Sequence, residues 1–209
     1  MAPRLLFVHA HPDDEAIFTG GTIALLSAQG HRCVLVFATS GELGSGRGAE
    51  LGDVRRDEAH AAGRILGAER VIVMEHHDSG LSADVRRQPW GSFAGVDVGV
   101  AADHLADILQ NEQAVALVVY DEWGVYGHPD HVQVHRVGVE AARRAGVATR
   151  YDVTVDREYL HFVDTHVAAV AGAAVEPLAA AARLGSATVE IATTVDVRPA
   201  LAAKHAAIA

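Results

Sequence analysis

Two short polar clusters, each following an apolar run, carry the residues whose types and spacing could do chemistry. Ala10-His11-Pro12-Asp13-Asp14-Glu15 follows Leu5 to Val8, and Tyr126-Gly127-His128-Pro129-Asp130-His131 follows Val115 to Tyr120. Three acids and a histidine on one short loop repel one another unless they share a cation or a proton. His11, Asp14 and His131 make a His2Asp set that suits zinc, one ion per chain. Three protein ligands leave a position open for water, which is the catalytic arrangement. Fe2+ and other divalent ions suit the set nearly as well. Such an ion acidifies its water and polarises a bound carbonyl. Asp13, next to a ligand, is placed to take the water's proton. His128, as an imidazolium, would stabilise the oxyanion and protonate a leaving amine, with Asp130 as its orienting partner. Taken singly, His-x-x-Asp also fits ordinary helix capping. Its recurrence at a second strand end favours the metal.

The elements that must position these clusters alternate. Leu5 to Val8 reads as a buried strand and Gly20-Gly21 with Thr22 to Leu26 as a helix, stopped by Gly30. Cys33 to Ala38 reads as a second strand. Thr39 to Gly48 is a polar, glycine-rich loop, on the surface or on the substrate side; no Gly-Lys-Ser/Thr follows, so a P-loop is excluded. Gly52 to Leu66 has helical spacing with Val54, Ala61, Ile65 and Leu66 on its apolar side. Arg55 and Glu58 stand three apart on it, as a solvated ion pair would. Val71 to Met74 is a third strand ending in Glu75-His76-His77-Asp78-Ser79-Gly80, and the adjacent His76 and His77 point apart. Arg86 to Phe93 is irregular and could cover the site. Val96 to Leu109 is helical, Val115 to Tyr120 a fourth strand. The helix after His131 turns Val134, Val137, Val139 and Ala142 inward and leaves His135 and Arg136 solvated. Tyr151 to Val155, Tyr159 to Val163 and Val189 to Val195 read as strands, the Ala-rich Val167 to Ala182 as helix, and Pro199 to Lys204 as the start of a last helix. The fold class is therefore α/β, a mostly parallel sheet flanked by helices. In such sheets ligands bind at the carboxyl ends of the strands.

At 209 residues the chain fits a single domain over residues 1–209. Half the residues are hydrophobic and 5% aromatic, so Val, Leu, Ile and Ala build the core. A formal charge of −10, from 17 basic and 27 acidic residues, excludes a nucleic-acid or anionic-membrane surface and favours a small-molecule substrate. The lone Cys33 lies in an apolar run, as a buried hydrophobe in a reducing cytoplasm would. The start of the chain lacks the pattern of a secretory signal, and no run of about 18 apolar residues reads as a membrane span. A cytoplasmic location follows as the expectation. A homo-oligomer stays open.

The sequence resembles the PIG-L/LmbE-like zinc-dependent N-deacetylases. The resemblance rests on Ala-His-Pro-Asp-Asp-Glu at 10 to 15, Thr-Ser-Gly-Glu at 39 to 42, Arg-x-x-Glu at 55 to 58 and Gly-His-Pro-Asp-His at 127 to 131, in that order. It implies a Rossmann-like fold and removal of acetyl or related acyl groups from amino-sugar conjugates. It implies His11, Asp14 and His131 as metal ligands, Asp13 as general base and His128 as the oxyanion-stabilising histidine. Tyr126 matches an oxyanion-site tyrosine of the mycothiol branch. Arg55 and Asp78 match its sugar-hydroxyl contacts, and Glu42 joins them on the substrate side. Val125 departs from that branch, which has glycine there. The family's C-terminal His-x-Ser-Gln is not present before Ala209. The leading expectation is a zinc-dependent hydrolase that removes an N-acyl group from a glucosamine-containing small molecule. A mycothiol-conjugate amidase and a non-catalytic sugar binder are the alternatives. A nucleotide-binding Rossmann domain would need Gly-x-Gly-x-x-Gly where His-Pro-Asp-Asp-Glu stands.

Overall fold

The unbroken apolar runs become strands because both of their faces are covered, so neither alternate set of side chains has to be polar. The computed structural model describes residues 3–44, 50–82, 87–163 and 184–209. Its strands are β1 (Arg4–His9), β2 (Arg32–Thr39), β3 (Arg70–His76), β4 (Ala114–Tyr120) and β5 (Thr149–Val153), all parallel in the order β3-β2-β1-β4-β5. The helices are α1 (Gly20–Ala28), α2 (Leu51–Leu66), α3 (Val98–Asn111), the single turn α4 (Gly124–Gly127), α5 (Pro129–Ala145), α6 (Arg157–Phe162) and α7 (Leu201–Ile208). Leu6, Val8, Val34, Val36, Leu117 and Val119 pack toward α3 and α5. Their neighbours Phe7, Cys33, Leu35, Phe37 and Val118 pack on the opposite face with Ile23 of α1 and Ala59 and Leu66 of α2. The alternation of the pleat thus feeds two cores from one sheet. Cys33 is buried and free, as expected.

The strand order has one consequence for function. The chain winds outward from β1 through β2 to β3, then returns to place β4 on the other side of β1. The loops leaving β1 and β4 therefore run to opposite faces and leave a crevice at the carboxyl ends of these two strands. Both polar clusters sit there.

Several expected elements differ. Tyr159 to Val163 is not a strand: Asp156 caps α6 by accepting the Tyr159 N–H at 3.0 Å, and the segment turns helical. Val189 to Val195 is not a strand either. It begins as a 3-10 turn at Thr188–Glu190 and has no sheet edge to join among the described residues, leaving Val189 94% exposed. On α2 the small residues Ala59, Ala62 and Gly63 face the core with Leu66, whereas Val54 and Ile65 are exposed. Val139 is likewise exposed, and His135 bonds the Tyr120 carbonyl at 2.9 Å instead of being solvated. Val167 to Ala182 lies outside the described residues. No helix among the described residues is long and apolar enough to cross a membrane.

Close approach, more than volume, sets the seat of α5 on the sheet. A Cβ on Gly138 would stand 2.6 Å from Cγ1 of Val119 on β4. Gly138→Ala should therefore cost about 1–3 kcal/mol in urea denaturation, as overpacked cores do, and a second change, Val119→Ala, should recover part of it. A Gly138→Ala protein as stable as wild type would show that α5 is not held this close.

Candidate active site

The first cluster leaves β1 in a tight turn closed by its own side chains. The Asp14 carboxylate accepts the His11 N–H at 3.0 Å, and the Asp13 carbonyl accepts the N–H groups of Ala16 and Ile17 at 3.1 Å each. The turn continues into a π-helical segment, Glu15–Thr19, a wide helical turn often found beside functional residues. Asp13 pays for this geometry with φ 103°, a region that L side chains rarely adopt. Two contacts hold it there. Its N–H donates to Glu15 Oε2 at 2.9 Å, and its carboxylate pairs with Arg55.

The second cluster leaves β4 through a turn organised by Asp121, whose Oδ1 accepts the N–H groups of Trp123 (3.0 Å) and Val125 (2.8 Å). Gly124 has φ 63°, and a Cβ there would meet the Cβ of His131 at 2.6 Å, so glycine is required on both grounds. Val125, the departure noted in the sequence, has φ 64°, strained for a β-branched residue, yet its side chain is buried in the core. Pro129 opens α5, and His128 is its N-cap: Nδ1 accepts the Asp130 N–H at 3.1 Å. A backbone N–H can only donate, so a neutral His128 carries its proton on Nε2.

These two turns bring His11, Asp14 and His131 together. Asp14 Oδ2 lies 3.5 Å from His11 Nδ1 and 3.2 Å from His131 Nε2. Two ligands at about 2.1 Å from a tetrahedral ion stand roughly 3.4 Å apart, so each of the two Asp14–histidine separations has the length that a pair of ligands on one such ion would show. His11, His128 and His131 also group closely enough to hold an ion, as do His11, Asp78, His128 and Asp130. In the latter group, as at Asp14, the carboxylates also accept hydrogen bonds from the chain. Asp130 accepts the Ser79 N–H (2.9 Å) and hydroxyl, and Asp78 accepts the N–H groups of Gly80 (2.8 Å) and Leu43 (3.1 Å).

Asp130 is thus an orienting residue for a different histidine than expected. Its carboxylate lies 3.2 Å from His11 Nε2, while its backbone, not its side chain, orients His128. The carboxylate–imidazole arrangement leaves the far nitrogen of His11 free to face Asp14. Burial opposes charge on His11, but Asp130, Asp14 and Asp78 outweigh it and raise its pKa to about 11. Burial, with His11 and His131 nearby, lowers His128 to about 4, so His128 rests as a neutral Nε2–H donor and not as an imidazolium. Burial would raise Asp14, yet His131 and His11 hold it well below the usual range. Asp13, at the open edge, is raised by burial and by Asp14, against the pull of Arg55.

The expected substrate contacts meet one another. Arg55 bonds the carbonyls of Gly41 and Pro12 at 2.8 Å each, and it pairs with Asp13 instead of Glu58. A Cβ on Gly41 or Gly44 would run into its guanidinium, so the glycine-rich loop is shaped around an arginine. Glu42 accepts the Asp78 N–H (2.9 Å) and the Ser40 hydroxyl (3.0 Å). Tyr126, 39% exposed, has its hydroxyl 3.4 Å from His131 Nε2.

The family model described as "PIG-L: GlcNAc-PI de-N-acetylase" matches residues 6–142, a span that contains both clusters. The chain belongs to the PIG-L family. A PIG-L relative from Nocardioides sp., named 1D-myo-inositol 2-acetamido-2-deoxy-alpha-D-glucopyranoside deacetylase, is 37% identical over 166 residues, 69% of this chain and 55% of its own length. The chain therefore spans about half the length of the curated relatives it matches. Among solved structures, N,N'-diacetylchitobiose deacetylase from Pyrococcus horikoshii superposes with TM-score 0.63 at 23% identity, over 99% of this chain and 68% of that one. The 4-carboxy-2-hydroxymuconate hydratase from Pseudomonas putida superposes equally well, TM-score 0.63 at 22% identity over 99% of this chain and 77% of its own, so the fold by itself does not select a reaction.

The sequence assigns no role to His9 or Thr19, and places Ser79 and Tyr120 only within stretches, Asp78-Ser79-Gly80-Leu81 and Tyr120-Asp121-Glu122, that resemble the mycothiol branch. Ser79, Thr19, His9 and Tyr120 are buried and hydrogen-bonded to the clusters or to one another. His9 falls between the apolar run Leu5 to Val8 and the polar cluster that begins at Ala10, where a lone imidazole carries no signal. Ser79 lay in a turn, where serine is ordinary. Ser79→Ala would leave the Ala94 N–H and one Asp130 oxygen unpaired, since the hydroxyl serves both. A loss of about 1–3 kcal/mol of folding stability should appear in denaturant titration. No loss would show that Asp130 does not depend on Ser79.

Proposed function

We propose that this chain is a zinc-dependent hydrolase that removes an N-acetyl group from a glucosamine-containing small molecule. The observation that carries the reading is Asp14 Oδ2 seated between ring nitrogens from two strand ends, with the half-exposed Asp13 beside it. The names of the curated relatives support the amino-sugar class, although the chain spans only part of them.

His11, Asp14 and His131 would hold the ion. When bound, zinc acidifies a water molecule and polarises an amide carbonyl. The remaining work falls to this chain's own residues. Asp13 accepts a proton from the attacking water, and the raised pKa of its carboxyl makes it the better base. His128 presents its Nε2–H to the carbonyl oxygen as charge develops there, and the Tyr126 hydroxyl, which burial keeps protonated, is a second donor. The C–N bond breaks, the acyl group leaves as a carboxylate, and the proton that Asp13 took from the water passes to the departing amine. Arg55 has N–H groups left over after its three partners and is placed to bond sugar hydroxyls at the mouth. Asp78 and Glu42 act on the substrate side by fixing the loops that border it.

Primary-amine release from a panel containing N-acetylglucosaminyl-inositol, free N-acetylglucosamine and a mycothiol conjugate tests the reading, with Asp13→Ala as control. The expected result is release from an N-acetylglucosaminyl compound, reduced by about a hundredfold or more in the variant. Cleavage of the thiol conjugate alone would replace the deacetylase by an amidase. No release from any compound by zinc-loaded protein would contradict catalysis and leave a sugar binder.

A further inference from the structure

The mechanism above makes no use of His9, yet this histidine is buried and bonded at both ring nitrogens. Its Nε2 lies 3.0 Å from Thr19 Oγ1 and its Nδ1 3.2 Å from the Tyr120 hydroxyl. One assignment of donors satisfies the whole chain. Thr19 Oγ1 donates to the Glu15 carbonyl at 3.1 Å, so toward His9 it accepts, and the imidazole proton is on Nε2. With the His9 proton on Nε2 its Nδ1 can only accept, so the Tyr120 hydroxyl, whose oxygen accepts the Ala10 N–H at 3.2 Å and which also lies by the Asp14 carboxylate, donates to it. The result is a directed relay: Ala10 N–H to Tyr120, Tyr120 O–H to His9, His9 N–H to Thr19, Thr19 O–H to the Glu15 carbonyl.

The two ends of this relay are mechanically distinct. Thr19 and Glu15 belong to the π-helical turn that begins directly after Asp14. Tyr120 ends β4, and its ring lies flat on the His131 imidazole, with centroids 4.2 Å apart and planes within 9°. The relay therefore braces the element bearing Asp14 against the aromatic plate on which His131 rests. All of its side chains are buried: His9 2%, Thr19 3% and Tyr120 0% exposed. Such a network is worth keeping only if every member is satisfied, and this one is. An apolar core would fill the same space without an unpaired-donor hazard.

We propose that His9 and Tyr120 are positioning residues that fix the plane of His131 and its separation from Asp14, and so set the affinity and geometry of the metal site. This rests on His11, Asp14 and His131 being the metal ligands. Tyr120→Phe keeps the ring but cuts the relay. Thr19→Val is nearly isosteric and cuts it at the far end, away from His131.

The test is zinc binding by the folded metal-free protein, read by competition with a chromophoric chelator, together with the visible spectrum of the cobalt-substituted protein. Tyr120→Phe should weaken zinc binding roughly tenfold or more and shift the cobalt bands, as loss of outer-shell support does. Thr19→Val should move both in the same direction by less, and the double variant should match Tyr120→Phe alone. Leu109→Ala, at the end of α3 away from the site, should lower thermal stability and leave both readouts unchanged. Wild-type affinity and an unshifted spectrum in Tyr120→Phe and in Thr19→Val, with binding abolished by Asp14→Ala, would overturn the relay and leave the metal site standing. Equal zinc binding by wild type and Asp14→Ala would overturn the metal assignment and the relay with it.

Discussion

The concentration of negative charge around one imidazole is the constraint on which the rest of the site depends. Asp14, Asp78 and Asp130 are all nearly inaccessible to water, and all three approach His11. An isolated buried carboxylate costs several kcal/mol, so three in one place require a positive partner. Without a metal that partner is a proton on His11, which the carboxylates raise to about 11. A divalent cation meets the same demand more fully, and the two compete for His11. The remaining polar groups serve this centre: Ser79 and backbone amides occupy the outer lone pairs, and Arg55 neutralises Asp13 at the rim.

Sheet topology determines which residues can meet in that centre. With β1 and β4 adjacent and parallel, the turns that leave them open on one crevice, and Asp14 and His131, more than a hundred positions apart, become neighbours. The turns are precise because they are strained or close-packed. Asp13 and Val125 hold positive φ, and Gly124 allows the backbone to pass against His131. The two positive-φ residues cost stability locally, and the hydrogen bonds that their N–H groups donate to the carboxylates of Glu15 and Asp121 offset part of it.

The sheet and the meeting of His11, Asp14 and His131 at its strand ends were legible in the sequence for physical reasons. Doubly buried parallel strands leave unbroken runs such as Cys33 to Ala38, and a polar cluster after such a run has nowhere to go but the strand end. What was illegible depends on long-range placement. The partner of Arg55 is Asp13, 42 positions away, and no local spacing reveals it. Asp130 could be read as orienting a histidine, but which one depends on how the start of α5 meets the turn after β1 and the loop after β3. Val189 to Val195 alternates like a strand, but alternation does not supply a sheet edge. On α2 the close approach to the sheet selects Ala59 and Gly63 for burial, so hydrophobicity alone pointed to the wrong face.

The central claim is that the buried charge is organised to hold one cation between the two strand ends. Anomalous diffraction at the zinc edge from crystals of the zinc-loaded protein tests it most directly. The predicted result is a single ion within about 2.0–2.2 Å of His11 Nδ1, Asp14 Oδ2 and His131 Nε2. An ion seated instead on His11 Nε2 with Asp78 and Asp130, or no ordered ion at either place, would contradict it.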